Sequence, residues 1–172
     1  MAQPERLARK TLAETTQGEV PVPVGRIAEA LSISITYEPY NGDLSGMLYR
    51  EGQKAIIGVN ATHPPTRQRF TIAHEIGHFL LHSERSMFVD KSVVFRDRSS
   101  SLGTDVEEIE ANQFAAALLM PEALVLREVK ALVASGKSRN GDRLVKQLAK
   151  TFDVSPQSMQ FRLANLGVFL PA

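Results

Sequence analysis

Apolar positions along the chain change period twice. Over residues 5–16, Leu7, Ala8 and Leu12 recur among charges at helical spacing, and Gln17-Gly18 with Pro21-Val-Pro23 ends that run. Val24 to Leu31 predicts a second short helix, with Ile27 and Leu31 four apart. The period then shortens to alternation. Ser34–Glu38, Gly46–Arg50 and Ala55–Val59 read as strands, separated by turn signals at Pro39–Gly42 and Glu51-Gly52. Three short strands with tight turns predict a small, mainly antiparallel three-stranded sheet.

Beyond His63-Pro-Pro65 the helical period returns, from about Thr66 to Ser83. Residues 84–104 are polar and Ser/Arg-rich and read as a mobile loop. Thr104 or Asp105 can cap the next helix, which runs to Met120. Its early acidic residues, Glu107, Glu108 and Glu110, suit the positive end of the helix dipole. Pro121 opens a helix ending near Ser135-Gly136, and Gly141–Phe152 forms another. A last helix starts with Ser155 as cap and Pro156 at its first position, and Gly167 closes it. The class predicted is α+β.

Composition narrows the functions open to such a fold. Lys and Arg number 20 against 19 Asp and Glu, a formal charge of +1. A protein that grips phosphate backbones shows a basic excess or stripe, so the near-neutral balance counts against direct DNA binding. The chain has no cysteine, which excludes disulfides, thiolate metal sites and a Cys nucleophile. Any metal must be held by His, Asp or Glu. The charged N-terminus has no signal-peptide core, and no apolar run approaches the roughly 20 residues that span a bilayer. The expected location is the cytoplasm, with no membrane association.

The chemistry concentrates in Phe70-Thr-Ile-Ala-His74-Glu75-Ile-Gly-His78-Phe-Leu-Leu-His82. Residues four apart on a helix differ by about 40° and about 6 Å in rise, so His74 and His78 can converge on one ion. Glu75 lies about 100° from His74. It approaches from the flank, where a carboxylate can take the proton of a water acidified by the metal. A bare H-E-x-x-H recurs in unrelated proteins. Here, however, Ile72, Ala73, Ile76, Phe79 and Leu80 make the helix apolar nearly all round, and buried polar groups need partners. Gly77 costs roughly 1 kcal/mol of helix propensity against Ala, which points to close approach of another element.

A third ligand is required. His82 is about 12 Å along the axis from His74, too far to share the ion. The metzincin spacing fails, because Leu81 and Glu84 stand where Gly and His would be needed. A carboxylate from the helix beginning near residue 105 is the better source. Glu110 shares a face with Phe114 and Ala117, and small Ala111, Ala115 and Ala116 permit tight packing, so Glu110 is the expected ligand with Glu107 as runner-up. A His₂Glu donor set favours Zn2+ over manganese or iron. His63, Arg67 and Tyr49 are candidate oxyanion donors.

The segments Arg69-Phe-Thr-Ile-Ala-His-Glu-Ile-Gly-His78 and Glu110-Ala-Asn-Gln-Phe-Ala-Ala-Ala-Leu-Leu-Met-Pro121 resemble the ImmA/IrrE family of metallopeptidases, over about residues 20–170. The resemblance implies a zincin-like helical core and a gluzincin site, with His74, His78 and Glu110 as metal ligands and Glu75 as general base. It implies a single metallopeptidase domain, 1–172, with a catalytic core at 20–135 and a C-terminal helical subregion at 136–172. It also implies a usual target: a helix-turn-helix transcriptional repressor, or an antitoxin-like partner, cleaved to induce a mobile element, a phage or a stress response. Only about 20 residues precede the shared region, so the repressor is expected to be a separate protein.

Residues 144–167 read as helix-turn-helix, with Leu148, Ala149, Phe152 and Val154 packing against Met159, Leu163 and the stem of Arg162. Gln157, Gln160 and Arg162 could reach base edges, or the same face could dock a repressor. This leaves an alternative function: a non-proteolytic metal-binding regulator that acts on a repressor or on DNA. A structural zinc site is normally closed by four protein ligands. The sequence supplies three good ones, which favours catalysis.

Overall fold

The computed structural model describes residues 3–16, 18–40, 44–51, 54–82, 87–91, 102–135 and 140–168. The elements run α1 (Gln3–Thr15), α2 (Val24–Ala30), β1 (Ile33–Glu38), β2 (Leu44–Glu51), β3 (Lys54–Asn60), α3 (Pro65–Leu81), β4 (Met87–Lys91), α4 (Leu102–Leu119), α5 (Glu122–Ala134), α6 (Gly141–Phe152) and α7 (Pro156–Asn165).

The α+β class holds, but the sheet differs from the expected one. It has four strands in the order β1-β3-β2-β4, and it is mixed. β2 runs antiparallel to both β3 and β4, whereas β1 runs parallel to β3. The turn signal at Pro39–Gly42 therefore does not make a hairpin. Asn60, buried at the end of β3, shows why: its Nδ2 donates to the carbonyls of Tyr40 (3.2 Å) and Leu44 (2.8 Å). Its Oδ1 accepts from the Tyr40 amide. The end of β3 thus sits between the exit of β1 and the entry of β2, and β3 takes the middle place.

The fourth strand lies inside the stretch read as a loop. Met87 pairs with Tyr49 and Phe88 with Leu48. Of the rest of that reading, residues 84–86 and 92–101 fall outside the described residues, and 102–104 belong to α4. α4 begins at Leu102, ahead of the expected caps Thr104 and Asp105.

One face of the sheet carries Ile33, Leu48, Ala55, Ile57 and Val59, all buried. It packs on α2 through Ile27 and Ala28, and on α3 through Ile72, Ala73 and Ile76. Each buried Ile, Leu or Val among them contributes about 2 kcal/mol of hydrophobic stabilisation. A one-residue slip would turn Leu48 and Ile57 outward together, so this set fixes the register. α3 packs against both the sheet and α4, and α1 also lies on α4. The helix carrying H-E-x-x-H is consequently interior, as its apolar circumference predicts.

The C-terminal helices form as the sequence indicates. Ser155 Oγ accepts from the Ser158 amide (3.1 Å) as cap of α7, and Gly167, at φ +68°, ends it. Leu148, Ala149, Phe152, Val154, Met159 and Leu163 are buried together. Arg162, however, is not available to base edges. It is 5% exposed, donates from Nε to the Met120 carbonyl (3.0 Å) and from Nη1 to Glu5 (2.7 Å). No helix among the described residues is long and apolar enough to cross a membrane.

Candidate metal centre

Thr71 to His78 of α3 are buried without a break. Two opposed surfaces meet this segment. On the sheet side, the β2 main chain at Gly46 passes so close that a Cβ there would stand 2.3 Å from Thr71 Cγ2 and 3.5 Å from Glu75 Oε1. On the other side, a Cβ on Gly77 would stand 3.1 Å from Phe114 Cδ1 and 3.2 Å from Ala111 Cα of α4. Gly77 is the point of close helix approach that its low propensity anticipated.

This spacing delivers three donors to one place. His74 Nε2 and His78 Nε2 lie 3.0 Å apart. Glu108 on α4 reaches both: Oε2 is 3.3 Å from His74 Nε2, and Oε1 is 3.3 Å from His78 Nε2. The ligand atoms of His74, His78 and Glu108 all fall within 4.8 Å of one another. On its outer edge His74 Nδ1 meets Asn112 Oδ1 at 3.0 Å.

The electrostatics keep these groups in ligand form. Burial pushes the His78 imidazole down from its ordinary value and outweighs the opposing pull of Glu108, so its nitrogens stay available near neutrality. For Glu108 burial alone would resist ionisation. The close contacts with the His74 and His78 imidazoles and their charge interactions overcome it and hold the carboxyl well below the usual carboxylate range.

Two of the four expected site residues, His74 and His78, converge. Glu75, next to His74 on α3, is fully buried and faces the β2 main chain at Gly46. Glu110 is placed elsewhere: its carboxylate is 3.8 Å from His82 Nε2, and Glu108 takes the position beside the imidazole pair. At about 100° per residue, Glu110 projects about 200° round α4 from Glu108. The runner-up, Glu107, meets His82 through its main-chain carbonyl, 3.2 Å from Nε2. Among the oxyanion candidates, Tyr49 pairs with exposed Ile56 on the sheet face turned from α3. Arg67 Nη2 donates to Ser45 Oγ (2.9 Å), and His63 lies in the turn before α3, its carbonyl accepting from Gln68.

The sequence reading assigned neither Glu108 nor Asn112 to the site, and the structure places both beside the imidazoles. The signal was present: Glu108-x-x-x-Asn112 repeats on α4 the four-residue spacing of His74-x-x-x-His78 on α3.

The residues fit a divalent ion. Around a tetrahedral zinc with bonds of about 2.1 Å, neighbouring ligand atoms stand about 3.4 Å apart. The three measured separations are 3.0, 3.3 and 3.3 Å. Two neutral imidazoles and one ionised carboxylate also make a suitable donor set for zinc.

Comparison with known proteins points to a metal-dependent peptidase. The family description "IrrE N-terminal-like domain", a peptidase family, matches residues 28–164. The radiation response metalloprotease IrrE of Deinococcus radiodurans is 32% identical over 110 residues, covering 64% of this chain and 31% of that protein. The protein of the same name from Deinococcus deserti is 33% identical over 134 residues, covering 77% of this chain and 43% of that one. The chain thus spans less than half the length of these curated relatives. Among solved structures, a Mycobacterium tuberculosis transcriptional regulator superposes with a TM-score of 0.61 at 17% identity, over 95% of this chain and 47% of that one, a likeness of fold. With the family match covering most of the chain and the His-Glu-x-x-His helix facing a carboxylate from α4, the chain belongs to the ImmA/IrrE family of metallopeptidases.

Proposed function

We propose that this chain is a zinc-dependent endopeptidase in which His74, His78 and Glu108 hold the ion and Glu75 is the general base. The convergence of two imidazoles from α3 and one carboxylate from α4 is the observation that carries this reading. A divalent ion bound there supplies Lewis acidity, both to acidify a water and to polarise a peptide carbonyl. Three protein ligands suit a catalytic rather than a structural site, since structural zinc is normally closed by four.

The chain's own residues supply the remaining functions. Glu75 is fully buried, with the Gly46 main chain passing close to its carboxylate. Its carboxylate accepts the proton of the attacking water and can return it to the leaving amine. Ionised Glu108 offsets the charge of the ion, and neutral His78 offers a lone pair with no proton to displace.

For the substrate, the family resemblance directs the proposal to a regulatory protein: a separate helix-turn-helix repressor or antitoxin-like partner. The zinc-loaded chain, incubated with a repressor encoded beside its own gene, should yield two fragments resolved by mass spectrometry. Glu75→Gln should retain zinc and lose about 10²- to 10⁴-fold in cleavage rate, the usual share of a general base. Cleavage by that variant at the wild-type rate would refute the mechanism. Zinc binding without hydrolysis of any such partner would favour a non-proteolytic regulator.

A further inference from the structure

We propose that Asn112 is a positioning residue for the metal centre: its carboxamide oxygen holds the Nδ1 proton of His74, so that His74 presents a bare Nε2 to the ion. The inference rests on the zinc-site reading above and extends it to a residue outside the ligand set.

A neutral imidazole carries one proton on either of two nitrogens, and only the nitrogen without it can bind a metal. His74 is buried, so bulk water does not decide which. Its Nδ1 lies 3.0 Å from Asn112 Oδ1, and a carboxamide oxygen only accepts. The proton therefore belongs on Nδ1. The lone pair is then on Nε2, the atom 3.0 Å from His78 Nε2 and 3.3 Å from Glu108 Oε2. The opposite tautomer would direct an N–H into the cluster and leave no donor for the ion.

The architecture of α4 makes this pairing economical. Asn112 follows Glu108 by four residues, so both project from one flank, about 40° and about 6 Å apart. Ala111, adjacent to Asn112, is the residue against which Gly77 packs. One helix–helix approach therefore sets the distance of the ligand carboxylate and of the tautomer-fixing amide together. Asparagine is a poor residue for a helix interior, because its side chain competes for backbone hydrogen bonds. Its place in α4, between Ala111 and Phe114, is explained by the partner it finds on α3. A neutral acceptor also fixes the ring without adding a second carboxylate to Glu108 and Glu75.

Two measurements test this, and the first needs neither metal nor mutation. In long-range ¹H–¹⁵N spectra of the zinc-free, ¹⁵N-histidine-labelled chain, His74 should show a protonated Nδ1 and an unprotonated Nε2. Observation of the other tautomer overturns the proposal. The second is zinc affinity by chelator competition. Asn112→Ala should weaken it by about 10- to 100-fold, the usual effect of losing such a partner, and should leave His74 averaging between tautomers. Asn112→Asp, which keeps the acceptor, should restore the Nδ1-protonated ring and bring affinity to within a few-fold of wild type. Equal, tight zinc binding by wild type and Asn112→Ala overturns this proposal alone. Failure of the wild type to bind zinc overturns the metal reading and this inference with it.

Discussion

Gly77 of α3 stands against Ala111 of α4 so closely that a Cβ on Gly77 would lie 3.2 Å from the Ala111 Cα and 3.3 Å from its carbonyl oxygen. Both neighbours are main chain, which cannot rotate away. Gly77→Ala gains about 1 kcal/mol of helix propensity, but the overpacking it forces costs about 1–3 kcal/mol. Because α4 carries Glu108, the helix that must retreat is the one that supplies the third donor. We expect the zinc-free variant to melt at or below the wild-type temperature and its zinc affinity to fall by about tenfold, roughly 1.4 kcal/mol. A variant that melts higher and binds zinc as tightly would show that this contact does not set the site.

Glu108 and Glu110 should separate cleanly when each is replaced by alanine. Glu108→Ala removes the carboxylate that faces both imidazoles, and metal analysis after gel filtration should find the variant largely zinc-free. Glu110→Ala removes a side chain placed near His82 and should keep its zinc. The reverse result would restore Glu110 as the ligand.

That pair also marks how far the sequence could be read. The spacing of His74, Glu75 and His78 dictates its own geometry, because three residues on one helix need no knowledge of the rest of the fold. The choice between Glu108 and Glu110 depends on which flank of α4 meets α3, and the apolar pattern misleads there. Phe114 does pack against Gly77, yet the imidazoles sit on the other flank, with Glu108 and Asn112. The sheet shows the same boundary. The alternating runs located β1, β2 and β3, but the parallel pairing of β1 with β3 depends on Asn60 reaching Tyr40 and Leu44, a tertiary event. β4 is five residues beside a polar stretch, recognisable through its pairing with β2. α7 was legible because Ser155 caps it locally.

Zinc should stabilise the chain with the logarithm of its free concentration once that exceeds Kd. The three donors converge only in the folded state, so binding adds about 2.7 kcal/mol at 100 times Kd. For a chain of this size each kcal/mol moves Tm by about 2–4 °C. The melting temperature should therefore rise by about 5–11 °C at that concentration and return after chelation. Magnesium, which prefers oxygen ligands in octahedral geometry, should have little effect. An unmoved melting curve at saturating zinc would count against the site.

Arg162 offers a control in which stability and metal binding part company. Its guanidinium is 5% exposed and joins three elements: α7, the Met120 carbonyl just after α4, and Glu5 of α1. Arg162→Met leaves the Met120 carbonyl without this donor, whereas Glu5, 31% exposed, can turn to water, so the cost is about 1–3 kcal/mol. Tm should fall by at least about 2 °C. Glu5→Gln leaves the buried guanidinium a neutral acceptor in place of its counter-charge and should cost about as much or more. Neither change touches the ligand-bearing turns of α3 and α4, so zinc affinity of the folded protein should stay within about twofold of wild type. Loss of zinc by Arg162→Met at a temperature where it is fully folded would mean that the C-terminal helices help to shape the metal centre.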